Sequence, residues 1–441
     1  MIIKAKNINE IEGTVKAPPS KSYSHRAIIL SSIANGTSKI PDLLFSNDVL
    51  SSIRACKALG AQITEKDDYI EVVGAKKLHN KETAPINLEN SGTTLRLMTS
   101  IAALADNETI LTGDDSLQTR PMQPLLDAIK PLGINAYSND GKAPITIQPG
   151  YNGGSTNILG NISSQYISSI IISAPLSKKG VNLTVYPEFK SKPYVDMTID
   201  IMEKFGVEIK ENSYTKHENC GKAMKDCEFV HYEISKQEYV GTDYTVEGDY
   251  SSASYLLAAA AIAGGNIKVE NLFKDSKQGD KVIIDILESM GANIIRNEDS
   301  VEISSDGNLK AIDVNLSNTP DLLITVAILA ALADGTTNIT GVKHGRIKET
   351  DRIDTTCREL EKLGCSLVEF EDGMSITGGI QGGVVDSHGD HRLAMAFSLI
   401  NLKYPVNVTN GEVFDVSFPN FIEAIGEIGL ELELVEEWGY E

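Results

Sequence analysis

The sequence holds one tryptophan, five cysteines without a CxxC pair, and only 40 lysines and arginines against 61 aspartates and glutamates. Each shortage removes a class of function. A formal net charge of -21 argues against nucleic acid or an anionic membrane as partner, because both need a broad basic face to release counterions. The odd set of Cys56, Cys220, Cys227, Cys357 and Cys365 does not make a disulfide framework and suits reduced thiols in a cytosol. There is no run of eighteen apolar residues, and the opening MIIKAKNINEIEG has no apolar leader core, so a soluble, cytoplasmic protein is expected. A GxxxxGK[ST] loop and a dinucleotide fingerprint are also missing, which sets nucleotides aside.

What is present is ordinary globular material. With 441 residues, 41% of them hydrophobic and 23% charged, the chain has length for two domains and apolar side chains to fill them. A short phrase recurs along it: KALGA, KPLGI, EKFGV, ESMGA, EKLGC and GEIGL, with glycines at Gly60, Gly133, Gly206, Gly291, Gly364 and Gly429. Each closes a stretch of helical periodicity and precedes a β-type run, which predicts a helix C-cap leading into strands. The glycine spacings are 73, 73, 85, 73 and 65 residues, so one module is used six times.

Each module carries a second helical stretch that starts with small and polar residues and continues almost wholly apolar, such as SKSYSHRAIILSSIANG, GDYSSASYLLAAAAIAGG and HGDHRLAMAFSLINL. A helix apolar all round must be buried, so helices inside and strands outside are expected. Three modules before and three after the longest spacing predict two domains of similar build. One is discontinuous, residues 1–19 plus 246–441, and residues 20–245 are inserted into it. MIIKAK is expected to complete the last, short module.

Positive charge gathers where the helices begin. Lys21, Arg26, Arg96 and Arg392 lie at starts of the apolar helices; Arg120, Lys192, Lys348 and Arg352 lie before the others. Gly92, inside Asn90-Ser91-Gly92-Thr93-Thr94, lets a backbone approach an anion, and Ser163, Ser164 and Gln165 add donors. Helix N-termini attract anions, and a charge-assisted hydrogen bond is worth roughly 1.5–3 kcal/mol. A few such bonds outweigh the unfavourable net field, so a small phosphate or carboxylate ligand is expected. Asp321, Lys348 and Glu349 form a candidate acid-base set; a surface pair and an N-cap are the competing readings. HGDH, with His388 and His391, reads as capping and anion contact. His217, Cys220, Cys227 and His231 tempt a metal reading, but only six residues separate the cysteines, and a hairpin with two free thiols is favoured over a metal site.

SKSYSHRA, NSGTTLR, QTRPM, SSQY, SKPY, EGDYSSAS, PD, KETDR and DHRLAM, in this order across nearly the whole chain, resemble 5-enolpyruvylshikimate-3-phosphate (EPSP) synthase. The resemblance implies an α/β, two-domain inside-out barrel of six βαβαββ repeats, three per domain, closing over substrates. It implies transfer of the enolpyruvyl group of phosphoenolpyruvate to the 5-hydroxyl of shikimate 3-phosphate, with no cofactor or metal, by a monomer. Shikimate 3-phosphate would be held by Lys21, Ser22, Arg26, Ser163, Ser164, Gln165, Ser191, Tyr194, Asp321 and Lys348. Phosphoenolpyruvate would be held by Lys21, Gly92, Arg120, Gln165, Arg352 and Arg392. Asp321, Glu349, Lys348 and Lys21 would be catalytic, Asp321 taking the hydroxyl proton and Lys348 with Glu349 serving the methylene carbon.

Three positions depart from some members of the family: Val416 replaces a lysine, His344 an asparagine, and Leu97 a proline. The related UDP-N-acetylglucosamine enolpyruvyl transferase has a loop cysteine where this chain has Asp115, and a Lys-Asn pair where it has Lys21-Ser22. A non-enzymatic phosphate-binding module, the other alternative, would not need Asp321, Lys348 and Glu349 together.

Overall fold

A computed structural model describes residues 1–219 and 224–436. The chain forms two compact units, Met1–Ser20 with Glu247–Glu441, and Lys21–Val246. In the inserted unit the helices are α1 (Lys21–Ile33), α2 (Asn47–Ala58), α3 (Gly92–Ala102), α4 (Gln123–Ile129), α5 (Ser164–Ser173) and α6 (Lys192–Lys204). The discontinuous unit has α7 (Tyr250–Ala263), α8 (Ile283–Ser289), α9 (Leu323–Ala331), α10 (Arg352–Lys362), α11 (His391–Ser398) and α12 (Phe421–Glu427). Two helices per module follow the six-fold repeat read from the sequence.

The first helix of each pair is the buried one. In α7 every residue from Tyr250 to Ile262 is buried, because alanine, serine and leucine leave no face that prefers water. Asp249 starts it by accepting hydrogen bonds from the amides of Ser251 and Ser252, and Gly264 ends it at φ 83°. The second helices are two-faced: α10 buries Ile353, Thr356, Cys357 and Leu360 together with Arg352 and Glu359, while Arg358, Glu361 and Lys362 stay exposed.

Among the described residues the strands lie outside these helices in six small sheets, five of four strands and one of three. Each four-stranded sheet joins one parallel pair to two antiparallel ones. Gly154–Leu159 runs parallel to Val181–Tyr186, which pairs antiparallel with Met224–Ile234, and that pairs antiparallel with Lys210–Asn219. The sixth sheet is completed from the other end of the chain, since Ile2–Ile8 sits between Val406–Thr409 and Leu430–Val435. In the three-stranded sheet the parallel partner is reduced to a bridge between Asn35 and Val240. Each unit closes its own core, and fully burying one of its many Leu or Ile side chains is worth about 1.5–3 kcal/mol.

The hairpin that raised the metal reading is present. His217 pairs with Asp226 and His231 with Thr184, while Cys220 lies outside the described residues. Cys227 is disulfide-bonded, which corrects the expectation of reduced thiols throughout. An odd cysteine count without a CxxC pair does not exclude a single bridge. Cys56, Cys357 and Cys365 are free and buried.

Candidate functional site

In the inserted unit, the starts of the buried helices are tied together by side chains. Lys21 opens α1 and sends its Nζ to Asp48 Oδ2 of α2 at 3.0 Å. Asp48 also bonds His25 and Ser91. Burial alone would raise its pKa, but the Lys21 ammonium and these two hydrogen bonds hold it well below the usual carboxylate range. His25 is fully buried, with Nδ1 2.8 Å from Ser52 Oγ, and burial lowers its pKa despite Asp48. It packs the helix start.

Ser91 caps α3 by accepting from the Thr94 amide, and Gly92 follows it. Arg120 donates to Asn90 Oδ1, which brings its guanidinium against Gly92: a Cβ there would lie 2.6 Å from Arg120 Nη1. Ser163 caps α5 through the Gln165 amide. The Gln165 side chain accepts from Arg96 Nη1 at 2.6 Å and donates to Thr93 Oγ1 at 3.0 Å, so the α3 and α5 starts share one amide. Arg26 is buried and donates to Thr198 Oγ1 and to the carbonyls of Ser22 and Tyr194. Burial brings its pKa down to about 10, and it stays a cation at neutral pH. Ser191 precedes α6 in the left-handed region at φ 55°. Lys192, read as one of the cations gathered at helix starts, is ion-paired with Asp196 and Glu211.

In the discontinuous unit, Asp321, at the turn before α9, is the hub. Its Oδ1 accepts from Arg352 Nη1 at 2.9 Å and lies 3.7 Å from Lys348 Nζ, and its Oδ2 accepts from Arg392 Nη2 at 3.0 Å. Arg352, the first residue of α10, also donates to Glu349 Oε2 at 2.7 Å and through Nε to Asp390 Oδ2 at 2.7 Å. Its burial opposes the charge, but Asp390, Glu349 and Asp321 more than restore it and keep it firmly protonated. Asp390 in turn caps α11 by accepting from the Arg392 amide. Burial would raise its pKa, and Arg352 reverses the shift. Arg392 completes the set by donating to Ser251 Oγ on α7 at 2.6 Å.

All four residues predicted to do acid-base or anion chemistry in this unit besides Lys348 therefore share direct bonds, and Lys348 adjoins the hub. Their chemistry follows from this arrangement: two guanidinium groups fix a carboxylate, with an ammonium and a second carboxylate beside it. Asp321 does not hold the N-cap position that the competing reading gives it: Thr319 is the N-cap residue of the turn Pro320–Leu322 and Leu322 that of α9. His344 is buried in the turn Lys343–Ile347.

Sequence reasoning missed Asp48, Asp390, Ser251, Asp280 and Glu359. Glu359 holds the loop before α11, accepting from the Asp386 amide at 3.1 Å with His388 Nε2 at 2.6 Å. A signal was available for Asp280, Asp390 and Ser251: in the discontinuous unit Gly-Asp occurs at 248–249, 279–280 and 389–390, each time with a buried aspartate, whereas Asp114 of the Gly-Asp in the inserted unit is exposed. Asp48 carried no such mark.

Residues 5–425 match the family model described as EPSP synthase (3-phosphoshikimate 1-carboxyvinyltransferase). The 3-phosphoshikimate 1-carboxyvinyltransferase of Methanobrevibacter smithii is 70% identical over 99% of this chain and 100% of its own. That of Methanothermobacter thermautotrophicus is 51% identical over 98% and 100%. Among solved structures, EPSP synthase from Acinetobacter baumannii superposes with a TM-score of 0.78 at 26% identity, over 99% of both chains. That structural likeness agrees with the inside-out α/β fold described above. With matches of this extent in sequence and in fold, the chain belongs to the EPSP synthase (3-phosphoshikimate 1-carboxyvinyltransferase) family.

Proposed function

We propose that this protein transfers the enolpyruvyl group of phosphoenolpyruvate to the 5-hydroxyl of shikimate 3-phosphate and releases phosphate, with Asp321 at the centre of its acid-base chemistry. The observation that carries the residue roles is the joining of Asp321, Arg352, Arg392 and Glu349 in one bonded set. Asp321 accepts the hydroxyl proton. Lys348 and Glu349 deliver a proton to the methylene carbon of phosphoenolpyruvate, so the neighbouring carbon becomes electron-poor and the hydroxyl oxygen bonds to it. Loss of a proton from the former methylene carbon and of phosphate from the tetrahedral adduct restores the double bond. Proton transfer by positioned groups supplies roughly 10²–10⁴-fold of such a rate.

Lys21, Ser22, Arg26, Ser163, Ser164, Gln165, Ser191 and Tyr194 are assigned to shikimate 3-phosphate, with Asp321 and Lys348 reaching its ring. Lys21, Gly92, Arg120, Gln165, Arg352 and Arg392 are assigned to phosphoenolpyruvate, whose charges the guanidinium groups neutralise as phosphate leaves. Support for these assignments is the match of motif and the cationic helix starts, which offset the chain's net charge of -21. Among the described residues no helix is long and apolar enough to cross a membrane, which agrees with a cytoplasmic place of action.

The test is phosphate release by the purified protein. Release is expected only when phosphoenolpyruvate and shikimate 3-phosphate are both present, and not when UDP-N-acetylglucosamine replaces the shikimate. Release with phosphoenolpyruvate and the nucleotide sugar, but not with phosphoenolpyruvate and shikimate 3-phosphate, would reverse the assignment.

A further inference from the structure

We propose that Asp280 is a positioning residue for Arg392, acting through the hydroxyl of Ser251. Asp280 lies in the turn Gly279–Val282 and is buried. It hydrogen-bonds Ser251. The Ser251 oxygen accepts from Arg392 Nη1 at 2.6 Å, and the other arm of that guanidinium donates to Asp321 Oδ2 at 3.0 Å. The relay thus runs Asp280, Ser251, Arg392, Asp321, across the starts of α7, α11 and α9.

The donor inventory explains the need for Asp280. Arginine can only donate, so toward Arg392 the serine oxygen must be an acceptor, and its single proton must go elsewhere. Asp280 receives it. Without that acceptor the hydroxyl rotor is free to turn its proton toward the guanidinium, and the 2.6 Å bond that aims this arm of Arg392 is lost. The charged groups around Asp280 are Asp321, Arg392 and Asp249. Burial, followed by the Asp321 charge, pushes its carboxyl up to about 7 despite Arg392. A carboxyl that is neutral for part of the time still keeps an oxygen for the serine proton, so an amide of the same shape should serve.

This inference rests on the reading of Arg392 as a phosphoenolpyruvate contact. Steady-state turnover is therefore measured for the wild type, Ser251→Ala, Asp280→Leu, the double variant and Asp280→Asn, with each substrate varied in turn. Loss of one hydrogen bond to a charged group is expected to raise KM for phosphoenolpyruvate about tenfold in Ser251→Ala and Asp280→Leu. KM for shikimate 3-phosphate should move less than about twofold. The double variant should be no worse than either single one, since both cut the same relay, and Asp280→Asn should restore near wild-type values.

An unchanged phosphoenolpyruvate KM in Ser251→Ala overturns the relay whether or not Asp280→Leu folds. A rise shared equally by both substrates, or additive losses in the double variant, overturns it as well. A wild type that releases no phosphate would sink the reading of the site itself; a wild type that turns over, with any of the contrary results above, would sink this role alone.

Discussion

Gly92 has no side chain because Arg120 occupies the space. A methyl group there would sit 2.6 Å from Arg120 Nη1, and the guanidinium is the movable partner. Gly92→Ala should therefore fold normally but displace Arg120 and raise KM for phosphoenolpyruvate by about tenfold or more, since small misplacements at a site are costly. Steady-state kinetics check this, and an unchanged KM would detach Gly92 and Arg120 from that substrate. Asp280 allows a different kind of test. Its pKa is raised from 3.8 to about 7, so between these values the folded state holds more of this proton than the unfolded state. Its contribution to stability is therefore greatest below pH 4 and falls as pH rises to 7, by up to about 1.4 kcal/mol per pH unit. Asp280→Asn should lose that slope, as urea unfolding from pH 5 to 7 would show.

At the scale of elements, α11 depends on one carboxylate with two duties. Asp390 caps the helix and takes the Arg352 Nε hydrogen bond. Removing one partner of a buried pair costs about 3–5 kcal/mol, so Asp390→Ala should lose about that much stability in denaturant titrations. Asp390→Asn keeps an oxygen for the cap and should lose less; equal losses would show that the charge pairing with Arg352, not the cap, is what matters. These duties were not legible in the sequence, where an aspartate before a helix reads as a cap and nothing names the arginine across from it. The buried helices were legible, because an apolar body like that of α7 or α9 has no wet face to offer. The glycine punctuation was legible too, as was MIIKAK completing the last sheet. Arg26 and Lys192 show the limit: both read as cations at helix starts, yet one is buried among Thr198 and backbone carbonyls and the other is spent on Asp196 and Glu211. Side-chain partners far apart in sequence decide such cases, and no local pattern records them.

On the scale of the whole molecule, the six modules make two units with separate cores. The inserted unit is one continuous segment, so residues 21–246 expressed alone should fold and melt cooperatively by far-ultraviolet circular dichroism; a non-cooperative melt would mean that its core is not self-sufficient. The acid-base set belongs wholly to the other unit, in which Asp321 is held by Arg352 and Arg392 with Lys348 and Glu349 beside it. The most direct test of that assignment is Asp321→Asn, with turnover and the dissociation constant for shikimate 3-phosphate measured on the same preparation. Loss of the proton acceptor should cut kcat by about 10²–10⁴-fold while the dissociation constant changes less than about tenfold. A variant that turns over at the wild-type rate would contradict the central role given to Asp321.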